Sequence, residues 1–354
     1  MRKIISLVVM IICVLSSTLM FGCQQSSDGA PSDKCAKCVK ADTTKVVYKL
    51  DGEFLNVGNP CEKCGYVIDP QQSIAVDYAV SKSNDVTVAQ EDADRKQIDC
   101  TIVLKKGEYD TIYLNARYNG STKFYAETGV DLRLIEVQGD IYDVTIENVH
   151  FYCEPGVRSG GINFGNSATV DDTGNKAYMD VTVRNCSFYG DCGIQRGWAD
   201  GIVENLLIEN CTFTNNTNDH DDYTGSAYTP IFIGEIAGDT IFRDNVFTNS
   251  EYGMIRLGTR TLGCTGTITI ENNVFDIART SRPVQISANE DCIVNVENNS
   301  FNYELSTNFL RFSYKSGVDR STIQFNVYSN KFNVIPNSIA NATYYNPLEQ
   351  EYLD

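Results

Sequence analysis

The stretch ITIENNVF (268–275) contains the unit from which most of the chain is built. It has alternating apolar residues, a polar pair rich in Asn and a closing Phe. Six near copies surround it, and the Phe residues of successive copies are 25 to 37 residues apart. A strand-like unit that recurs at this spacing is typical of a solenoid, because no single unit can bury its own apolar face. The other copies are VTIENVHF (144–151), VTVRNCSF (181–188), LLIENCTF (206–213), TIFRDNVF (240–247), VNVENNSF (294–301) and FNVYSNKF (325–332).

Each position of the unit predicts a structural role. The alternating residues indicate a half-buried strand, and the recurring Phe predicts an inward stack of rings. The residue three places before the Phe is Asn or Asp in six copies, which predicts a left-handed bend between two strands. The next position is Asn in the last four copies, which predicts an internal ladder of amide hydrogen bonds. The bend residues are Asn148, Asn185, Asn210, Asp244, Asn272, Asn298 and Ser329.

This pattern resembles the right-handed parallel β-helix repeat of the pectate-lyase superfamily. The resemblance implies an all-β domain over residues 75–340, a right-handed parallel β-helix of about nine coils. The segment 85–140 is expected to supply the first coils, and the tail 341–354 to cover the open end of the last. The resemblance is specific for architecture and not for chemistry, because lyases, hydrolases, adhesins and stalks share the fold.

A third strand per coil is predicted between the copies, as in PIFIG (230–234) and MIRLG (254–258). In enzymes of this fold, substrate lies across the outer face of that strand. Two arginines, amides and an aromatic ring there would suit a polysaccharide, and an ordinary solvated strand face is the alternative. The outward residues are Asn163, Gln195, Phe232, Arg256, Gln285 and Arg311, with Trp198, Asp200 and Tyr223 as further binding candidates.

The loop 214–239 has the densest group of charges, with Asp219, Asp221 and Asp222 around one of only two histidines. Such carboxylates bind Ca²⁺ or divide acid and base roles, and a solvated loop tip is the alternative. A pectate-lyase-like mechanism would need Ca²⁺ on the uronate and a base at its C5 proton. Arg256 is the candidate base, and the three aspartates complete the catalytic candidates.

The N-terminus predicts export. Residues 1–23 have a basic start, an apolar run and Gly22-Cys23, which resembles a bacterial lipoprotein signal with Cys23 as the lipidated residue. An ordinary signal peptide or an uncleaved anchor is the alternative, and residues 24–34 are a flexible tether. We therefore expect the chain outside the cytoplasmic membrane, lipid-anchored at the cell surface. The net charge of −17 argues against a nucleic-acid partner, and it repels anionic polysaccharide as well unless a cation such as Ca²⁺ intervenes.

The chain has 13 cysteines, four of them in two CxxC pairs. Cys35, Cys38, Cys61 and Cys64 define a zinc-ribbon-like module over residues 35–70, too short for a core of its own. They hold either a structural Zn²⁺ or two disulfides. The thiols inside the solenoid, such as Cys186 and Cys211, are expected to be inert small apolar groups.

Taken together, these features favour a surface-anchored lipoprotein with a carbohydrate-facing or envelope-interaction domain and no assignable catalysis. The first alternative is a Ca²⁺-dependent uronate lyase or a glycoside hydrolase. The second alternative is a structural stalk or adhesin.

Overall fold

A computed structural model of the chain describes sixteen segments, and within them the protein is all-β with one α-helix and one short 3₁₀ helix. The all-β prediction is therefore confirmed. The described residues are 47–50, 53–56, 73–115, 120–127, 129–138, 141–153, 160–164, 177–196, 202–214, 230–248, 254–259, 262–277, 283–303, 310–315, 317–334 and 348–351.

Most strands fall into three series, in each of which a strand pairs in parallel with its counterpart in the next repeat. The first series, ending at the bend, is β4 (Tyr78–Val80), β5 (Cys100–Leu104), β7 (Thr122–Ala126), β9 (Ile141–Glu147), β12 (Ala177–Arg184), β15 (Ile202–Glu209), β18 and β19 (Ile236–Ala237 and Asp239–Arg243), β22 (Cys264–Glu271), β24 (Val284–Glu297) and β27 (Gln324–Tyr328). The second series, carrying the Phe, is β8 (Val130–Gln138), β10 (His150–Tyr152), β13 (Ser187–Tyr189), β16 (Thr212–Thr214), β20 (Val246–Thr248), β23 (Val274–Ile277), β25 (Ser300–Tyr303) and β28 (Lys331–Val334). The third series is β6 (Gly107–Asn115), the second half of β8, β11 (Gly160–Phe164), β14 (Cys192–Arg196), β17 (Ile231–Ile233), β21 (Ile255–Leu257), the first half of β24, β26 (Leu310–Tyr314) and β29 (Leu348–Glu351). These pairings are compatible with a β-helix-like solenoid.

The bend between the first and second series has the left-handed backbone that its residues predict. All seven bend positions have φ between 54° and 59°. Asn and Asp tolerate this region better than other residues with a Cβ, because their short polar side chains can bond locally. The repeated Asn is thus a backbone requirement, and it places the next strand at the same angle in every repeat.

The closing Phe residues form the predicted stack. From Phe151 to Phe332, successive ring centres are 4.6 to 5.1 Å apart and the rings are within 9° of parallel. This separation matches the spacing of about 4.8 Å between neighbouring strands. Identical side chains in register therefore contact one another without any change of backbone geometry.

A ladder of amides runs beside the stack through the buried Asn245, Asn273 and Asn299 to the half-buried Asn330. Asn273 Nδ2 donates to Asn299 Oδ1 at 3.0 Å, and Asn273 Oδ1 accepts from both the backbone N–H and Nδ2 of Asn245 at 2.9 and 3.0 Å. Nδ2 of Asn273 also donates to the carbonyl oxygens of Phe242 and Glu271. The ladder thereby pairs backbone groups that the bend leaves outside the strand hydrogen bonds.

One prediction about the first coils is wrong, because residues 83–96 are an α-helix, α1 (Ser83–Lys96), and not strands. Its buried residues Val86, Ala89, Gln90 and Ala93 have helical spacing, but two are alanine and one is polar, so the apolar pattern is weak. Gln90 exchanges hydrogen bonds with the backbone of Asn115 in β6, through Nε2 at 3.1 Å and Oε1 at 2.9 Å. The helix therefore covers backbone groups of the first strand of the third series.

The segment between the two CxxC pairs contains a short hairpin. Strand β1 (Val47–Leu50) is antiparallel to β2 (Glu53–Asn56) and parallel to β3 (Ser73–Val76). The predicted zinc or disulfide cysteines, the lipidation site and the tether lie outside the described residues. Within the part of the chain that the structure describes, no helix is long and apolar enough to cross a membrane.

We expect Asn273→Ala to lower the free energy of unfolding by at least about 2 kcal/mol, because it leaves buried donors and acceptors of the ladder without partners. Urea unfolding followed by circular dichroism measures the change. Asn326→Ala is the matched control, since Asn326 donates one amide bond to Asn295 at 2.9 Å on a half-buried strand face. It should cost less than about 1 kcal/mol. Equal effects of the two variants would contradict a structural role for the ladder.

Candidate binding surfaces

The outward residues of the third series lie in register and form a continuous row, which we call the outer strip. Gln195 pairs with Phe232, Phe232 with Arg256, Arg256 with Gln285, and Gln285 with Arg311. Asn163 precedes Gln195 in the same register. The six residues that the repeat pattern places on one strand face are therefore aligned across six neighbouring strands.

The centre of the outer strip is a cation–π pair. Ile231 and Ile233 belong to the buried core, and the alternation of the strand directs Phe232 to the opposite face. There the Arg256 guanidinium lies over the Phe232 ring, 4.9 Å from the ring centre, and the ring is only 2% exposed. Phe232 therefore supports Arg256 and does not offer the free stacking surface that the sequence suggested.

Arg256 and Arg311 place two positive charges on one face, two strands apart, which corresponds to about 9.6 Å between their backbones. Both side chains are half-buried. Burial and, to a lesser extent, the positive charge of Arg311 lower the pKa of Arg256 from its ordinary value. A guanidinium in this environment gains most from a ligand that brings negative charge.

The strip is longer than the sequence predicted. Tyr113 and Glu136 continue it by register on the N-terminal side, and on the C-terminal side the backbone of β29 pairs with β26, with Glu349 opposite Arg311. Asn163 donates through Nδ2 to Glu136 Oε2 at 2.8 Å, and Tyr113 is 46% exposed. The strands that carry Tyr113 and Glu136 have no Asn-and-Phe unit beside them, so the repeat pattern could not align these residues.

Several predicted site residues cannot be placed by the structure. Those that lie outside the described residues are Cys23, Cys35, Cys38, Cys61, Cys64, Trp198, Asp200, Asp219, Asp221, Asp222 and Tyr223. Of the predicted binding residues, Phe232, Arg256, Gln285 and Arg311 are brought together. Among the described residues, no group of three or more His, Cys, Asp or Glu side chains could hold a metal ion.

A second surface feature, which we call the corner groove, lies where the second series turns into the third. It has a volume of about 690 Å³. Tyr152, at its rim, is 46% exposed and stacks on Tyr189 with ring centres 5.5 Å apart. The described lining residues are Glu108, Tyr109, Asp110, Asp131, Leu132, Arg133, Tyr152 and Cys153.

Arg133 organises the floor of the corner groove. Its Nε forms an ion pair with Asp110, and its Nη2 donates to Thr111 Oγ1 at 2.7 Å. These contacts link β8 to β6 and fix the guanidinium at the corner where the second series turns into the third. On the neighbouring strand, His150 Nε2 lies 3.7 Å from Asp131 Oδ1. The groove is therefore lined by a positive charge on Arg133 and by negative charges on Asp110 and Asp131.

Two thiols meet at the inner wall of the groove. The sulfurs of Cys153 and Cys192 both lie within 2.7 Å of the point that a Cβ on Gly160 would occupy, and the interaction between the two thiols, together with the charge of Arg133, lowers the pKa of Cys153. The same interaction and burial raise the pKa of Cys192. Sequence reasoning expected all the thiols inside the solenoid to be inert, and it did not distinguish these two from the others. The only available signal was their position, directly after β10 and at the start of β14.

Comparison with protein-family models, with characterised proteins and with solved structures finds no match to this chain. Its function is therefore inferred from the geometry of these two surfaces.

Gly160 lies where two thiols and the backbone crowd together, and we expect Gly160→Ala to lower the free energy of unfolding by about 3 kcal/mol, the upper end of the usual cost of overpacking. A Cβ there would lie 2.7 Å from the Cys192 sulfur and 2.9 Å from the Arg133 carbonyl oxygen, and closer still to the Cys153 sulfur. Gly107→Ala is the control, because its Cβ would meet its nearest neighbour at 3.5 Å, an ordinary contact. Urea midpoints of the two variants should differ clearly, and equal midpoints would show that the thiols do not crowd Gly160.

Proposed function

We propose that this chain is an exported lipoprotein, anchored through Cys23, whose main domain is a right-handed parallel β-helix that binds an anionic polysaccharide of the cell envelope or its surroundings. The CxxC module would serve as a spacer held by structural Zn²⁺ or by two disulfides. The series of parallel strands supports the architecture, and the outer strip supports the ligand class.

The observation that carries the proposal is Arg256, held over Phe232 with Arg311 two strands farther along the same face. An extended polymer lying across the strands would meet these charges in succession, with the Gln285 amide between them. Arginine forms paired hydrogen bonds to carboxylates, and a half-buried one binds them more strongly than one in bulk solvent. The net charge of −17 repels an anionic polymer over the chain as a whole, so binding depends on the two arginines of the strip or on a bridging cation such as Ca²⁺.

We expect Arg256→Ala to weaken binding to a uronate polymer by at least about tenfold, the effect of losing one charge-assisted contact. Affinity electrophoresis or calorimetry against polygalacturonate and alginate, with neutral glucan for comparison, measures this. Arg256→Lys should restore only part of the affinity, because lysine lacks the planar fork. Arg243→Ala is the matched control, since Arg243 pairs with Glu209 at 2.6 Å on another face. Equal losses in the Arg256→Ala and Arg243→Ala variants, or no binding by the wild type, would contradict the proposal.

The second candidate function is a Ca²⁺-dependent uronate lyase at the same strip. The lowered pKa of Arg256 favours it, because a base must give up its proton more readily than an ordinary guanidinium does. The Ca²⁺ ligands would come from Asp219, Asp221 and Asp222, which precede the strand that carries Phe232 in the sequence.

For the lyase, incubation with polygalacturonate should produce ultraviolet absorbance from unsaturated product with Ca²⁺ and none with a chelator. Asp221→Ala and Arg256→Ala should each abolish this signal, while Arg243→Ala keeps it. Polymer binding without product would leave the binding module as the function. Neither binding nor product would favour the stalk or adhesin.

A further inference from the structure

Cys153 and Cys192 are brought together from different repeats. The backbone N–H of Cys153 donates to the Tyr189 carbonyl at 3.0 Å, and Cys192 begins the strand that pairs with β11 through Gly160. Both side chains are buried, at 3% and 1% exposure. Both sulfurs lie within 2.7 Å of the point that a Cβ on Gly160 would occupy. The absence of a side chain on Gly160 is what allows the two sulfurs to meet.

The two thiols differ in their surroundings. Cys153 lines the corner groove and faces the charge of Arg133, which is itself held by Asp110. Its interaction with Cys192 and this positive charge both favour the thiolate, and the thiolate is the form of cysteine that attacks. Cys192 lies behind it and retains its proton more strongly.

The pair Cys186 and Cys211 provides an internal comparison. These thiols also lie in adjacent repeats, at 1% exposure each, and they interact with one another. Their sulfurs are directed at backbone carbonyls of Arg184 and Glu209, at 3.3 Å each, and burial raises the pKa of Cys186 well above its ordinary value. Of the four thiols, only that of Cys153 is among the described residues that line the groove.

We propose that Cys153 and Cys192 are a redox-active dithiol, in which Cys153 attacks a small-molecule disulfide that enters the corner groove and Cys192 resolves the mixed disulfide. This site is independent of the outer strip and of the proposed polysaccharide binding.

The reaction is a thiol–disulfide exchange in two steps. The Cys153 thiolate attacks one sulfur of the small disulfide, a mixed disulfide forms, and the other half leaves as a thiolate that takes up the proton lost by Cys153. Cys192 then loses its proton and attacks the Cys153 sulfur, which releases the second half as a thiol. One disulfide is reduced to two thiols, and the two cysteines are oxidised to a disulfide that links successive repeats.

The test uses the intact, reduced chain and oxidised glutathione as the probe. After timed exposure, free thiols are alkylated under denaturing conditions and the peptides are mapped by mass spectrometry. We expect a Cys153–Cys192 disulfide to form while Cys186 and Cys211 remain alkylated. Cys192→Ser should accumulate a glutathione adduct on Cys153, and Cys153→Ser should leave Cys192 unmodified. In the Arg133→Gln variant, which keeps both cysteines, the pH profile of the rate of disulfide formation should shift to higher pH than in the wild type.

The absence of a Cys153–Cys192 link would overturn the proposal, and so would cross-linking of Cys186 to Cys211 at the same rate. An adduct on Cys192 in the Cys153→Ser variant, with none on Cys153 in the Cys192→Ser variant, would overturn the assigned order of attack. The wild-type link can be mapped whether or not a serine variant folds. Polysaccharide binding by the outer strip is unaffected by any of these outcomes, so the two proposals fail separately.

Discussion

A left-handed residue at the bend between the first and second series turns every repeat through the same angle, and the stacking of side chains depends on it. With φ held near 55°, each second-series strand starts in register with its neighbour. Rings such as Phe247 and Phe275 then meet at 4.9 Å with no adjustment of the backbone. The amide of Asn273 completes the arrangement, because it binds the carbonyls of Phe242 and Glu271 beside the bend.

The parts of the fold that repeat could be predicted, and the parts that occur once could not. Asn at the bend, Phe in the stack and Asn in the ladder appear several times, so each copy strengthens the others. Helix α1 appears once and buries alanines and Gln90, which produce little apolar contrast. Glu147 is likewise fully buried in a strand that reads as alternating, because Arg184 reaches it at 2.9 Å from the next repeat. The sequence pattern of a single strand cannot indicate a partner that comes from another repeat.

The candidate site shows the same division. Register alone aligns Gln195, Phe232, Arg256, Gln285 and Arg311, and the spacing of the repeat units was sufficient to predict this alignment. The burial of Phe232, at 2% exposure, was not predictable, because strand alternation only places it on the face opposite the core. A strand face that alternates with the core would ordinarily be solvated. Placing an aromatic ring beneath a guanidinium there removes water from one side of the charge, which strengthens its attraction to an anion.

Cysteine chemistry in this chain follows from position in the repeat. Where the backbone is regular, as at Cys186 and Cys211, the strands supply carbonyls that accept from the thiols, and burial raises the pKa of Cys186. At the corner between the second and third series the backbone departs from the strand pattern, so Arg133 can approach Cys153 and the groove opens beside it. Cysteine is therefore inert at the regular repeat positions and polarised at this corner. In this chain the polarised thiol is thus the one that meets both a cation and an open groove at a corner between two strand series.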